Sequence, residues 1–110
     1  MESLAVTATM REEGPVRAMV QRVADHFGQI DALVTCVALQ RRAAFTELTA
    51  EDFRAHLDVN CVGAFVTVQE AAAFMVRQPS GGSIVALGDA PNAPFSAGGM
   101  AAAVSRSTIP

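Results

Sequence analysis

Apolar and polar positions along the chain follow two different periods. Residues 30–37 and 83–87 are almost continuously apolar and rich in β-branched side chains, which is typical of parallel strands buried on both faces. A shorter apolar run, Leu4–Ala8, predicts a further strand. Residues 16–27 carry one apolar stripe at spacings of three and four, which predicts an amphipathic helix. The stripe consists of Val16, Met19, Val20, Val23 and Phe27.

Capping signals indicate where the helices begin and end. Residues 12–15 place two glutamates and a proline in a first helical turn, and Gly28 is typical of the residue that ends a helix. Thr49 and Asp52 predict a capping box. The box opens a long helix that runs to Gln78 and is apolar on nearly every side, so we expect it to be covered all round.

The order of the elements predicts an α/β protein. Strands and helices alternate along the chain: strand, helix, strand, long helix, strand and a last helix over residues 97–106. This is the pattern of parallel strands joined by helical crossovers. We therefore expect a three-layer unit with about three parallel strands and flanking helices. Residues 1–110 suffice for a single small domain.

Composition and charge exclude several classes of function. The net charge is −3 and the few basic residues are scattered, so nucleic acid and acidic membrane surfaces are not expected as partners. No apolar stretch approaches the roughly 20 residues of a membrane-spanning helix, and the first residues do not form a secretory signal. Cys36 and Cys61 are too few for a disulfide framework, which predicts two buried reduced thiols in a cytoplasmic protein.

Three stretches resemble one known family. They read FGQIDALV (27–34), FTELTAEDFRAHLDVNCVGAF (45–65) and GGSIVAL (81–87), and their order and spacing resemble the middle of a short-chain dehydrogenase/reductase. The resemblance implies a truncated Rossmann-like unit that corresponds to the third, fourth and fifth strands of the family with the helices after them. It also implies NAD or NADP as cofactor, bound at the switch point of the sheet.

The family's glycine-rich loop has no counterpart in the sequence. In the family, a Thr-Gly-x-x-x-Gly-x-Gly loop after the first strand lets backbone N–H groups approach the pyrophosphate. Here the glycine pairs are Gly81-Gly82 and Gly98-Gly99. We interpret the first pair as a helix-to-strand turn, so binding of the cofactor by this chain alone is not expected.

Five positions match the cofactor-binding places of the family only by their location. Thr9 stands where the family has an acidic residue that contacts the adenine. The family's Asn-Asn-Ala-Gly segment is matched here by Thr35, Cys36, Val37 and Ala38. In the family, the glycine lets the cofactor lie close to the backbone, and Ala38 adds a methyl group at that place.

Asn60 is the one catalytic residue of the family that the sequence keeps. In the family, this asparagine sits at an irregularity of the long helix and holds a water molecule in a proton relay. The alternative is an asparagine at a helix bend whose side chain is bonded to backbone, which we favour because the other members of the relay are lost.

The remaining catalytic places hold residues that cannot perform the family's chemistry. Asp89 occupies the serine's place, either as a solvated loop carboxylate or as a replacement, and an ionised carboxylate cannot donate a hydrogen bond. Phe95 occupies the tyrosine's place, and the chain contains no tyrosine. The lysine's place either falls on Gly99 or is deleted. We expect no catalysis by this chain alone.

Loss of the family's first two strands leaves Leu4–Ala8 without its neighbours. The segment would then join a re-closed three-stranded sheet, stay disordered, or pair with strands supplied by another chain.

Three functional hypotheses remain open. The chain is a truncated oxidoreductase without activity of its own, or an interaction module that pairs with itself or with an intact relative through the 49–78 helix. Alternatively, it is one piece of a longer reading frame, because 107–110 end abruptly within a helical pattern. Neither the substrate nor the choice between NAD and NADP is encoded in these residues.

Overall fold

The computed structural model describes residues 1–36, 39 and 43–87 of the chain. The last helix predicted over residues 97–106 lies outside these residues. The elements in chain order are helix α1 (Glu13–Phe27), strand β1 (Ala32–Thr35), a 3-10 turn (Phe45–Glu47), helix α2 (Ala50–Leu57), a π-helical turn (Asp58–Gly63), helix α3 (Ala64–Met75) and strand β2 (Ser83–Ala86).

The two strands pair in parallel, with Ala32 opposite Ser83 and Thr35 opposite Ala86. This confirms the α/β class and the parallel sheet, although the described residues hold two strands where about three were expected. The prediction of a strand over Leu4–Ala8 is wrong. The segment has no regular secondary structure, and no backbone hydrogen bond links it to the rest of the described chain, because the strands that would pair with it have no counterpart in the sequence.

The core lies between the sheet and one layer of helices. Leu33 and Ile84 point into this layer and pack against a cluster from α1, α3 and the start of β1. The opposite face of the sheet is open in the described structure, where Val34 is 60% exposed and Val85 is 51% exposed. The prediction that both faces are buried is therefore wrong, because the described helices cover one face. The buried cluster consists of Val20, Ala24, Ile30, Ala71 and Met75.

The predicted helix signals are confirmed at both ends of α1. The chain leaves α1 at Gly28, whose φ of 83° is left-handed and whose N–H donates to the Ala24 carbonyl. The buried side of the helix is centred on Val16, Val20 and Ala24. Phe27 is 43% exposed, so it lies at the margin of the predicted stripe.

The long helix begins as predicted and is interrupted in the middle. Thr49 forms the capping box with Asp52: the Asp52 N–H donates to the Thr49 hydroxyl over 3.0 Å, and the Thr49 N–H donates to the carboxylate over 3.2 Å. The π-helical turn then separates α2 from α3 without breaking the helical backbone. Inside this turn, a Cβ atom added to Gly63 would lie 2.6 Å from the Met10 carbonyl oxygen. A glycine is therefore required for this close approach.

A polar cluster on the surface ties α1 to α3. Arg17 donates to Glu13 on its own helix and, over 2.8 Å, to the carboxylate of Glu70 on α3. Gln21 donates to the other Glu70 oxygen over 3.0 Å. These bonds, the Gln21 bond first and the Arg17 bond second, hold the pKa of Glu70 below its usual range. The pKa of Arg17 is raised by its bond to Glu13 and then by Glu70.

We expect Glu70 to make stability depend on pH. Because its pKa is lowered in the folded state, its contribution is complete above the usual glutamate range and is lost as the pH falls through the lowered value. Urea unfolding at a series of pH values should show this loss, and Glu70→Gln should flatten it. Glu51→Gln is the control, because the Glu51 side chain is 74% exposed and contacts Arg11 at 3.4 Å. An unchanged pH profile in Glu70→Gln would contradict the assignment.

No helix in the described ranges combines the length and the hydrophobicity that crossing a lipid bilayer requires.

Candidate functional site

Asn60 lies in the π-helical turn and is completely buried. Its Oδ1 accepts a hydrogen bond from the Leu39 N–H over 2.6 Å, and its Nδ2 donates to the Leu39 carbonyl over 2.9 Å. Both ends of the amide thus hold the backbone of one residue in the loop after β1. This geometry is that of an asparagine at a helix irregularity bonded to backbone, and a role in a proton relay stays a prediction.

A second side-chain amide holds the other end of β1 in the same way. Gln78, just after α3, accepts from the Ile30 N–H over 2.7 Å and donates to the Ile30 carbonyl over 2.7 Å. It also donates to the Gly81 carbonyl over 3.0 Å. Asn60 in the long helix and Gln78 after it therefore hydrogen-bond to the backbone on both sides of β1.

The carboxyl end of β1 carries the described part of the predicted cofactor contacts. Thr35 is half-buried, and its hydroxyl has no hydrogen-bond partner although the oxygen is buried. Cys36 is exposed, so the prediction of two buried thiols is wrong for this residue; it follows β1 on the open face of the sheet. Cys61 is half-buried, and both cysteines are thiols. Val37 and Ala38 lie outside the described residues.

A cavity of about 170 Å³ lies between the carboxyl end of β1 and the long helix. Thr9 is exposed and does not line it, but the next residue, Met10, does. The structure therefore brings Thr35 into the cavity and leaves Thr9 outside. The described residues that line the cavity are Met10, Met19, Leu33, Val34, Thr35, Val59, Ala64, Thr67 and Leu87.

The described residues do not fit the pyrophosphate of a dinucleotide. Such a group binds outside the carboxyl ends of parallel strands, on backbone N–H groups of a helix N-terminus. The Gly81-Gly82 pair precedes β2 at its amino end, where Gly81 adopts a φ of 66° in the predicted helix-to-strand turn. At the N-terminus of α1, Glu12 and Glu13 would repel a phosphate. We therefore derive no chemical step through NAD or NADP.

Residues with metal-binding side chains do not gather in the described part of the chain, where no group of three or more could hold an ion. Asp89 and Phe95 lie outside the described residues. The composition of the chain still limits the catalysis it can perform. The chain has no tyrosine, and all eight of its Lys and Arg residues are arginines, so it also has no lysine.

Sequence reasoning missed three residues that shape this region. His56 is buried one turn before Asn60, and its Nδ1–H donates to the Asp52 carbonyl over 2.7 Å. The spacing of four between His56 and Asn60 was a usable signal, and so was the glycine inside the long helix, Gly63. The contact of Gln78 with the start of β1 carried no local signal.

Comparisons with known proteins agree with this fold. The profile of the family described as short chain dehydrogenase matches residues 1–91. The chain is 34% identical over 76 residues to a sepiapterin reductase of Chlorobaculum tepidum, covering 69% of this chain and 31% of that protein. It is 30% identical over 84 residues to the 3-oxoacyl-[acyl-carrier-protein] reductase FabG of Staphylococcus aureus, covering 76% and 34%.

A solved structure shows the same arrangement of elements. The short chain dehydrogenase from Burkholderia cenocepacia, solved in complex with NADP, superposes with a TM-score of 0.82 at 33% identity, covering 94% of this chain and 41% of that one. The chain spans about a third of the length of the curated relatives that it matches. With its parallel strands, its interrupted long helix and a matching profile over residues 1–91, the chain belongs to the short-chain dehydrogenase/reductase family.

Proposed function

We propose that this chain descends from an NAD(P)-dependent oxidoreductase and has no oxidoreductase activity on its own. The observation that carries the proposal is the absence of tyrosine and lysine from the whole sequence, since proton transfer in the family depends on that pair. The engagement of Asn60 supports it, because the Leu39 backbone uses both ends of its amide. The placement of Gly81-Gly82 at the amino end of β2 supports it as well.

Titration with NADH and NADPH, followed by cofactor fluorescence, tests this proposal. We expect no saturable binding up to millimolar cofactor, because the described residues offer the pyrophosphate no backbone cradle. The short chain dehydrogenase from Burkholderia cenocepacia, which was solved in complex with NADP, is titrated under the same conditions as the positive control. Saturation at micromolar cofactor would show that another surface replaces the missing loop, and the proposal would fail.

A second candidate function is pairing with another copy of the chain through the long helix. Val62, Phe65 and Val76 are 50%, 62% and 82% exposed. Phe65 and Val76 lie about three helical turns apart on the same side of α3 and its end, so they form one apolar strip. An exposed apolar strip of this kind favours association.

Light scattering on the eluting protein tests the second candidate. We expect a dimer that Phe65→Lys converts to a monomer, because burying an unpaired charge in the contact is costly. Ala18→Lys is the matched control, since Ala18 is an exposed position on α1, and it should leave the dimer intact. A wild-type chain that elutes as a monomer would exclude this candidate without affecting the first.

A further inference from the structure

Residues 3–9, before α1, are attached to the rest of the protein by side chains. Leu4, Val6 and Ala8 are half-buried, whereas the residues between them are exposed, so alternate side chains face the body. No backbone hydrogen bond joins residues 3–9 to the rest of the described chain. The position of this segment therefore depends on its partly buried side chains and on the contacts at its two ends.

Both ends of the segment make a specific contact. At one end, the Nε2–H of His26 in the last turn of α1 donates to the Glu2 carboxylate. At the other end, the Met10 carbonyl oxygen lies where a side chain on Gly63 would have to go. Residues 2–10 therefore run beside α1, from its last turn back towards its start.

The side of α1 next to this segment is partly apolar. Met19, Val23 and His26 are three or four positions apart and share one side of the helix, which we call the α1 flank. Met19 and Val23 are half-buried, and Met19 lines the same cavity as Met10. The opposite side of the helix carries Arg17, which bonds to α3. The flank is thus the side that faces residues 3–9.

The contacts of the segment are weaker than those of the core. Val20 and Ala24 on α1 are each 6% exposed and pack against α3, whereas the inward side chains of residues 3–9 are only half-buried. Few buried apolar contacts and the lack of backbone hydrogen bonds are typical of segments that open locally before a protein unfolds. The segment can therefore leave the body while the helices and the sheet stay packed.

We propose that residues 3–9 form a releasable strap that covers the α1 flank. The strap opens as a unit. The bond to His26 fastens one end, and the close fit against Gly63 fastens the other. Opening exposes the apolar side chains of the flank, which the closed form hides from any partner. The strap involves neither a cofactor nor the apolar strip at Phe65, so it stands or falls independently of the two functions proposed above.

Methyl relaxation dispersion, measured by NMR on the full chain, tests the strap. The methyl signals of Leu4 and Val6, here called the strap signals, should exchange at one common rate with a minor state populated at about 1%. The Met19 signal should exchange with them, and the Val20 signal in the core should not. Absence of exchange, exchange shared with Val20, or strap signals at unfolded positions in the major state would each overturn the proposal.

Two substitutions open the strap from its two ends. Gly63→Ala should make the open form the major one, so the strap signals move to unfolded positions while the Val20 signal stays. Glu2→Gln weakens the bond to His26 and should raise the open population about threefold, as expected for an exposed charged pair. Glu47→Gln changes an exposed glutamate outside the strap and is the control. Unchanged strap signals in Gly63→Ala, or an open population in Glu2→Gln equal to that of the control, would refute the strap.

Discussion

Replacing Gly63 with alanine is expected to lower the free energy of unfolding by about 3 kcal/mol. The added Cβ atom would lie 2.6 Å from the Met10 carbonyl oxygen and 3.2 Å from the Asp58 carbonyl oxygen. Both obstacles are backbone atoms, so relief requires the segment before α1 to move away from the π-helical turn. Urea unfolding followed by circular dichroism measures the loss.

Gly14→Ala is the matched control for this substitution. Gly14 lies in the first turn of α1, and an added Cβ atom would meet nothing within 4 Å. Because alanine is a better helix former than glycine, this variant should gain up to about 1 kcal/mol. If Gly63→Ala were as stable as the wild type, the close contact between Met10 and the π-helical turn would be disproved.

Asn60→Ala is expected to cost about 3 kcal/mol, because it leaves the Leu39 N–H and carbonyl without their partner and opens space in a fully buried position. The effect should be local as well as global. In the variant, hydrogen exchange of the Leu39 amide should be faster than the change in overall stability alone explains. Both quantities are accessible from exchange measured by NMR and from urea unfolding.

Two further amides calibrate this result. Gln78→Ala removes bonds to Ile30 at a half-buried position and should cost about 1–2 kcal/mol. Gln29→Ala removes one exposed bond to Asp31 and should stay within about 0.5 kcal/mol of the wild type. If Asn60→Ala matched Gln29→Ala, Asn60 would not be holding the loop after β1.

The features that the sequence predicted well are those decided within a few residues. The capping box depends on Thr49 and Asp52, three positions apart, and the left-handed residue that ends α1 depends on Gly28 itself. Each is fixed by local hydrogen bonds and backbone freedom. The order of the strands in the sheet and the position of Asn60 in an irregular part of the long helix were predicted from the family resemblance. Neither composition nor periodicity predicts them.

The predictions that failed depend on what lies next to a residue in space. Leu4–Ala8 has the composition of a strand, but a strand exists only where another strand pairs with it. The open face at Val34 and the exposure of Cys36 have the same origin, since burial depends on which elements cover the sheet. The contacts of Gln78 with Ile30 join residues 48 positions apart, so no short stretch of the sequence indicates them.

The parallel pairing of β1 with β2 also affects how the chain is made. All of α2, the π-helical turn and α3 lies between the two strands in the sequence, so β1 leaves the ribosome long before its partner. Contacts between such distant segments form slowly, because a long loop must close first. Until Ser83–Ala86 emerges, β1 lacks the strand that pairs with it in the described structure. We therefore expect nascent chains of this length to bind chaperones that recognise extended apolar segments.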